Sequence, residues 1–519
     1  MSGRRSIFKK TIQMGLSTLL SRMLGFGREL LMANYLGADG AADAFITAFR
    51  IPNSLRKIFA EGALSAALIP ALVKTYRELG EREANALVSL TFIVIQIVLG
   101  IVCGAVSYYA PFVMHKTAPG FTAEALLYAT NFVRILIFFI LFISSSATLS
   151  AALQAMGRFF MPANSQVFLN ITFISTLALV LYYKLSFTTF AYLILLNGLI
   201  LLLMHIGAYA KAGGRLVLPT SLTWENFSGV MANFLPCLVT VGSLEINLYV
   251  DNIMASYLPA GSVSLIYYTS AFLRLPLGVV AVAFSTILLP SLTRVGLYAP
   301  KRLSYYLFEA TKVLIWASLF ATGLMIFFSK KLFLTFWLSE KFPLEKVLQA
   351  GQLLSIFALS LVFLSLNKIL VTLFYARHDT WRPTVISLIG AIINTLCNFV
   401  FMQFWGVNGI AAATVISAAT QTALFFYVLH SRYNILFYWV RFRSFIVRVI
   451  AQMLSATVIF FVLYKLIARF VSNFVGDSVG YFFTQSIGYW LWTLPLCAIV
   501  GAWLYVSRKR YGIRMYFID

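Results

Sequence analysis

The sequence predicts an all-α polytopic membrane protein with fourteen transmembrane helices, arranged as two six-helix lobes in parallel repeat plus two C-terminal helices. An apolar composition, a series of long apolar segments and an internal repeat together predict this fold class. Of the 519 residues, 61% are hydrophobic and only 11% are charged, with a mean hydropathy of +0.87. A soluble globular domain is about half apolar and about a quarter charged. The composition therefore excludes a large soluble enzyme.

Fourteen apolar segments reach the length of about 20 residues that a helix needs to cross a bilayer. Their connections are short, so no separate catalytic domain is expected. The predicted spans lie at about 13–36, 42–72, 87–114, 125–155, 160–183, 188–210, 228–258, 262–292, 308–329, 347–375, 382–405, 407–430, 444–470 and 482–507.

An internal repeat relates the first six spans to the next six. The stretch Leu31–Gly37 reappears as Ile253–Pro259, 222 residues later, and Arg50–Pro52 is echoed by Arg274–Pro276. Because the shift covers six spans, an even number, the two copies have the same orientation. Such lobes are typical of transporters with alternating access to a central cavity, although channels and membrane enzymes stay open. The predicted domains are an N-lobe at 1–220, a C-lobe at 221–432 and a C-terminal helix pair at 433–519.

The positive charge of the chain is explained mainly by topology. Lys and Arg number 40 against 17 Asp and Glu, a formal net charge of +23, which in a soluble protein would indicate nucleic acid. Here the basic residues gather in every second connection, so the positive-inside rule places both termini in the cytoplasm. No nucleic-acid partner is expected. The first apolar segment carries Arg22 and Arg28 and lacks a small-residue cleavage site, so we interpret it as a retained span rather than a signal peptide.

Cysteine and histidine patterns predict no metal site or cofactor. The four cysteines are far apart and mostly inside apolar stretches, and the four histidines are equally scattered. Neither a disulfide framework nor a metal-binding spacing is present.

Charged residues inside the first two spans are the strongest functional signal. Each arginine at mid-bilayer costs about 2.5–3.5 kcal/mol on the insertion scale, so exposure of several to lipid is implausible. They must face a hydrated cavity, be paired within the bundle, or snorkel to the headgroups from near a helix end. These residues are Arg22, Arg28, Glu29, Arg50, Arg56, Lys57 and Glu61.

Pairing accounts for only part of this charge. Lys57 and Glu61 are four residues apart on one helix face, so a structural ion pair is the natural interpretation for them. Uncompensated positive charge is left after each glutamate has one partner. Guanidinium groups suit phosphate because they donate two parallel hydrogen bonds and keep their proton. The sequence therefore favours an anionic substrate that carries phosphate, whereas an exporter of cationic drugs would concentrate carboxylates.

The second lobe also carries charges inside its spans. Glu245 and Asp251 lie in span seven, Arg274 in span eight and Lys368 in span ten. An acid in a span without a nearby base either binds a coupling cation or has a structural role, and the sequence leaves both open.

The N-terminal motifs resemble those of a known family. Leu20–Glu29, with the sequence LSRMLGFGRE, is similar to the opening motif of the MurJ (MviN) family of lipid II flippases. Asp43–Phe45 and the stretch from Ala48 to Ala63 resemble its most characteristic region. The likeness extends over essentially the whole chain.

This resemblance implies a monomeric member of the multidrug/oligosaccharidyl-lipid/polysaccharide exporter superfamily, located in the bacterial inner membrane and not an enzyme. It would move the undecaprenyl-pyrophosphate-linked peptidoglycan precursor, lipid II, from the inner to the outer leaflet for cell-wall synthesis. Spans thirteen and fourteen would hold the lipid tail. The resemblance implies that Arg22, Arg28, Arg56 and Asp43 bind the substrate. We add Glu29, Arg50 and Arg274 as candidate substrate-binding residues because they are charged residues within predicted spans.

Two implications of the resemblance concern the second lobe. The family usually has an arginine shortly after the pair matching Tyr267–Tyr268, whereas here the next arginine is Arg274, about one turn further on. A sodium site known in some members would involve Asp251, Asn394 and Thr414. Coupling to a monovalent cation or to the membrane potential is therefore an expectation.

Two alternatives stay open at this point. One is a superfamily exporter of drugs or of another polyprenyl-linked glycan. The other is a membrane-embedded glycosyltransferase or ligase, which would need acids or histidines in an extracytoplasmic loop. Asp39 and Asp43 alone make a poor catalytic set.

Overall fold

The computed structural model describes residues 20–57, 59, 64–282, 284–285, 288, 295, 300–377, 379, 381–435, 437–474 and 486–517. Over these residues the regular structure is helical, apart from one isolated β-bridge between Ser339 and Phe342. The predicted all-α fold class is confirmed.

Seventeen α-helices are defined within the described residues. They are α1 (20–36), α2 (Gly40–Arg56), α3 (Leu64–Glu78), α4 (Gly80–Tyr108), α5 (Ala110–Thr117), α6 (Ala123–Leu136), α7 (Phe139–Ala155), α8 (Phe160–Tyr182), α9 (Phe187–Lys211), α10 (Ser221–Ser256), α11 (Ser262–Pro276), α12 (Pro300–Phe336), α13 (Leu344–Ala376), α14 (Trp381–Trp405), α15 (Val407–Tyr433), α16 (Trp439–Phe474) and α17 (Tyr489–Ser507). A π-helical turn, Leu277–Val282, continues α11.

Ten helical segments among the described residues are long and apolar enough to cross a membrane. The chain is therefore a polytopic membrane protein, as predicted. The four predicted spans outside this set are the first, second, seventh and eighth, which carry most of the charges described above. Their charge distinguishes them from the ten apolar helices, and two of them are also short, since α2 has 17 residues and α11 has 15.

Residues 37–39 determine where α1 ends and where α2 begins. Gly37 adopts a positive φ of 79°, which glycine tolerates best, and ends α1 in a tight turn. Asp39 then caps α2 by accepting a hydrogen bond from the Ala42 N–H at 2.8 Å. A three-residue connection thus joins the two helices that carry most of the predicted site.

The chain divides into two compact units, Met1–Tyr268 and Thr269–Asp519. In the first unit α2 packs on α6 and α7, and α10 packs on α3 and α4. Phe45 stacks on Phe190 with ring centroids 5.2 Å apart and contacts Phe132 edge-on at 5.3 Å. Lipid provides little hydrophobic driving force between helices, so this close packing and the polar contacts between helices stabilise the unit. The Tyr209 hydroxyl, for example, donates to Asn85 Oδ1 at 2.6 Å.

In the second unit α12, α16 and α17 share an aromatic cluster that includes Phe328, Phe460 and Trp490. The segment after α17 is anchored at a buried ion pair in α12. Lys312 Nζ lies 2.7 Å from Glu309 Oε1 and donates to the Arg514 carbonyl at 2.6 Å. The segment that follows α17 is therefore bound to α12 through Lys312.

Candidate functional site

Arg28 is held by three neighbours at the centre of the first unit. Its Nη2 lies 2.6 Å from Glu29 Oε1, and its Nη1 donates to Asn170 Oδ1 at 3.2 Å. The guanidinium also stacks over the Phe173 ring, 5.3 Å from its centroid. A carboxylate, an amide and an aromatic face thus fix its orientation before any ligand binds.

Glu29 is buried and only partly satisfied. It is 7% exposed, and its Oε1 also accepts a hydrogen bond from the Tyr267 hydroxyl at 3.3 Å. The other oxygen, Oε2, is buried without a hydrogen-bond partner among the described residues. A buried carboxylate oxygen without a donor is costly, so Oε2 is able to accept a hydrogen bond from a water molecule or a ligand.

Asn170 is the functional residue that sequence reasoning did not single out. In the structure its Nδ2 donates to the Ser21 carbonyl at 2.9 Å while its Oδ1 accepts from Arg28, so one side chain joins α8 to α1. A buried amide in an otherwise apolar span was the available signal.

Asp43 caps the start of α11. It is 3% exposed, and its two oxygens accept from the backbone N–H groups of Gly261 and Ser264, each at 2.7 Å. An anion at a helix N-terminus satisfies donors that have no partner within the helix and meets the positive end of its dipole. These contacts show a structural role, and substrate binding by Asp43 stays a prediction.

The basic residues of α2 contact α10 and their own helix. Arg50 Nη1 donates to the Leu248 carbonyl. Arg56 donates from Nε and Nη2 to Asn53 Oδ1, at 3.1 and 2.9 Å. The two arginines therefore donate hydrogen bonds to uncharged oxygen atoms.

Lys57 forms an ion pair with a second helix. The predicted partner, Glu61, lies outside the described residues. Lys57 Nζ lies 3.0 Å from Glu245 Oε2 in α10, and the Ser54 hydroxyl donates to the same oxygen at 2.9 Å. The partner is 188 residues distant in sequence, which explains why spacing along one helix did not indicate it.

Removing Glu245 is expected to destabilise the protein. Glu245→Ala leaves the half-buried Lys57 ammonium without this carboxylate, which costs about 1–3 kcal/mol of folding free energy. The double variant Lys57→Gln, Glu245→Gln is expected to recover most of the loss. Thermal unfolding of the purified protein measures both. Glu78→Ala is the control, because the Lys74–Glu78 pair is exposed at 3.8 Å, and an equal fall in that variant would contradict the assignment.

Arg22 and Arg274 differ from the other predicted residues. Arg22 is half-buried on α1 and forms no hydrogen bond or ion pair with a described residue. Arg274 is exposed and belongs to the second unit. Among the arginines of α1 and α2, Arg22 is therefore the one without a hydrogen bond or ion pair to a described residue.

The residues predicted to bind sodium are divided between the two units. Asp251 is buried on α10 in the first unit. In the second unit Asn394 accepts from Asn398 Nδ2 at 3.0 Å, and the Thr414 hydroxyl donates to the Ile410 carbonyl at 3.0 Å. Within the described part of the chain, no three histidines, cysteines or acids gather as a metal site would require. A sodium role for these residues stays a prediction.

Solved structures share this fold. A structure titled "Lipid II flippase MurJ, inward closed conformation" matches with a TM-score of 0.78 at 22% identity, covering 97% of this chain and 100% of that chain. An inward-facing multidrug resistance MATE family transporter of the MOP superfamily matches with a TM-score of 0.68 at 15% identity, covering 82% of this chain and 98% of that one. The chain therefore shares the fold of these two structures.

Sequence comparison defines the family to which the chain belongs. The family model described as lipid II flippase MurJ matches residues 32–484, and the chain belongs to this family. A probable lipid II flippase MurJ from Buchnera aphidicola subsp. Acyrthosiphon pisum is 28% identical over 93% of this chain and 95% of its own length. The corresponding protein from Vibrio cholerae is 31% identical over 82% of this chain and 83% of its own. The predicted family is confirmed.

Proposed function

We propose that this protein is a lipid II flippase that carries the polyprenyl-pyrophosphate-linked precursor from the inner to the outer leaflet of the bacterial cytoplasmic membrane by alternating access. Membership of the MurJ family, supported by relatives that carry the name lipid II flippase, favours this activity over catalysis. We further propose fourteen spans in two six-helix lobes, 1–220 and 221–432, with a helix pair at 433–519. Both termini would be cytoplasmic and the protein monomeric.

The observation that carries the substrate site is the unbalanced charge of residues 20–57. This segment has five basic and three acidic residues. Asp39 and Asp43 accept backbone N–H groups, so Glu29 is the segment's one remaining carboxylate for its guanidinium groups. Glu245 from α10 contacts Lys57. The arginines thus exceed the carboxylates that the segment offers them, which favours an anionic ligand.

The arrangement of Arg28 and Arg22 suits pyrophosphate. Asn170 and Phe173 hold the Arg28 guanidinium in place, so less conformational freedom is lost when it binds an anion. Arg22 has no described partner to release. Two guanidinium forks can meet several phosphate oxygens with paired hydrogen bonds. Arg56 and Arg50 would add positive potential from α2, and Arg274 is a further candidate.

Glu29 would contribute specificity rather than charge neutralisation. Its buried Oε2 lacks a donor, and the sugar hydroxyls and peptide amides of a lipid II headgroup are donors. A site that offers an unpaired acceptor discriminates against ligands without the matching donor.

The lipid tail would lie along the C-terminal helices. An apolar cavity of about 320 Å³ is lined by α12, α16 and α17, with Phe327, Phe460 and Phe461 among its walls. The described parts of α16 and α17 between the basic ends are apolar, which suits an acyl chain. The inside-negative potential would help to return an empty, arginine-rich site toward the cytoplasm, and a monovalent cation is a second candidate for coupling.

Transport selectivity tests this function. In proteoliposomes the protein is expected to translocate fluorescent lipid II, whereas a polyprenyl-linked sugar joined through a single phosphate is expected to move much more slowly. The reason is that the single phosphate presents fewer oxygens to the arginines. Equal rates for both lipids would favour the alternative, a superfamily exporter of other polyprenyl-linked glycans.

A further inference from the structure

A cavity in the first unit is lined by polar and apolar side chains and by no arginine. It has a volume of about 260 Å³ and lies among α3, α7, α8 and α9. Its polar walls are formed by Ser65, Ser146, Ser150, Ser165, Gln166 and His205. At about 30 Å³ per molecule, several waters fit into this volume.

His205 is the one ionisable residue among those that line the cavity. It is fully buried, and its Nδ1 lies 2.9 Å from the Leu201 carbonyl oxygen. Its Nε2 lies 3.0 Å from Ser165 Oγ, which in turn lies 2.9 Å from the Met161 carbonyl oxygen. Ser165 and His205 therefore both line the cavity, and the half-buried Ser165 hydroxyl connects the imidazole ring to the Met161 carbonyl.

The contacts that run from the Leu201 carbonyl through His205 and Ser165 to the Met161 carbonyl need a certain number of protons. Both ends are carbonyl oxygens, which only accept hydrogen bonds. Three hydrogen bonds therefore need three protons, one on Nδ1, one on Nε2 and one on Ser165 Oγ. A neutral histidine and a serine have only two, so one contact is lost in either tautomer. The imidazolium satisfies all three, while the cost of burying a charge opposes protonation.

We propose that His205, Ser165 and this cavity form a proton-binding site, and that the protonation state of His205 sets the transport rate. In the binding step a hydronium in the cavity gives a proton to Ser165 Oγ as Oγ passes its own proton to Nε2. Hydronium becomes water, and imidazole becomes imidazolium. The part of the proposal that concerns rate rests on the proposed function.

Charged side chains on the helices around His205 lie at exposed positions. Helix α3, which lines the cavity, carries exposed Lys74, Arg77 and Glu78, and α9 itself carries exposed Tyr192 and Lys211. Of the helices packed against α9, α7 carries no ionisable side chain and α8 carries only Tyr182, at its far end. Helix α6 carries Glu124, Tyr128 and Arg134, all exposed. On α9 itself the Tyr209 hydroxyl is engaged by Asn85.

Helix α8 provides the physical connection to the substrate site. Ser165 and Asn170 lie on this helix, about 7.5 Å apart along its axis. Asn170 holds Arg28, as described above, and its neighbour Leu169 lines the cavity. A change in the hydrogen bond at Ser165 therefore acts on the same helix that orients the guanidinium.

Histidine NMR of the full chain in nanodiscs tests proton binding without any transport. The chain has only four histidines, so the His205 ring signals are assigned by their loss in His205→Gln. We expect this ring to gain a proton as the pH is lowered within the range over which the protein stays folded. Ser165→Ala removes the acceptor for Nε2–H and is expected to move the midpoint about one pH unit toward acid. A ring that keeps one charge state over this range, or a midpoint unchanged in Ser165→Ala, would overturn the site.

Lipid II transport at several pH values tests the effect on rate. The wild type is expected to change its rate about fivefold over the titration of His205, and His205→Gln is expected to show a flat profile. His115→Gln, at an exposed histidine of α5, is the matched control and should keep the wild-type profile. A wild-type rate independent of pH would overturn the control of transport. Absence of lipid II transport at every pH would instead contradict the proposed function, while the NMR titration still decides the site.

Discussion

Lipid II translocation is expected to fall at least about 30-fold when Arg28→Ala is combined with Glu29→Gln. A loss of about 2 kcal/mol is typical when a central, oriented guanidinium is removed from a binding site. The combination is needed because Arg28→Ala alone would leave Glu29 buried opposite no cation, which destabilises a protein on its own. Transport in proteoliposomes at equal protein content measures the effect.

Two further variants separate charge from geometry at this site. Arg28→Lys keeps the charge but loses the fork, so an intermediate rate is expected. Arg134→Ala removes an exposed arginine from α6 and is expected to leave the rate unchanged. Near-normal transport by the Arg28→Ala, Glu29→Gln protein would contradict the role assigned to this guanidinium.

Asp43→Ala is expected to loosen the start of α11. The substitution removes the acceptor for two buried backbone N–H groups, at a cost of about 3–4 kcal/mol. The fall in the thermal unfolding midpoint should be accompanied by faster hydrogen exchange at residues 261–268. Asp43→Asn keeps one acceptor oxygen and is expected to show a smaller effect.

Asp39→Ala is the matched control for this prediction. Asp39 is an exposed cap of α2, so its loss is expected to cost only about 1 kcal/mol and to leave exchange at 261–268 unchanged. Unaltered exchange in Asp43→Ala would contradict the capping role. A transport defect that persists at normal exchange would instead support the predicted contact with substrate.

The helices of this chain could be predicted from sequence because a membrane-spanning helix depends on the residues of its own segment. About 20 apolar residues suffice to mark a crossing helix, and glycine at position 37 with an aspartate at 39 marks the turn that follows α1. The positive excess at Arg22, Arg28 and Arg56 was visible for the same reason. Insertion costs apply to each residue separately.

The partners of those charges were not accessible, because they lie far away in the sequence. Asp43 meets the backbone of Ser264, and Lys57 meets Glu245. Spacing within one helix indicated only Glu61. Asn170 carries no charge, so a search for ionisable groups passed over the side chain that joins α8 to α1.

The central claim is that guanidinium groups of the first unit bind the pyrophosphate of the substrate. The most direct measurement compares the binding of undecaprenyl pyrophosphate and of undecaprenol to the protein in nanodiscs. The wild type is expected to prefer the pyrophosphate at least about tenfold. The protein with Arg22→Ala, Arg28→Ala and Glu29→Gln is expected to lose that preference. An unchanged preference in this variant, at unchanged folding, would contradict the claim.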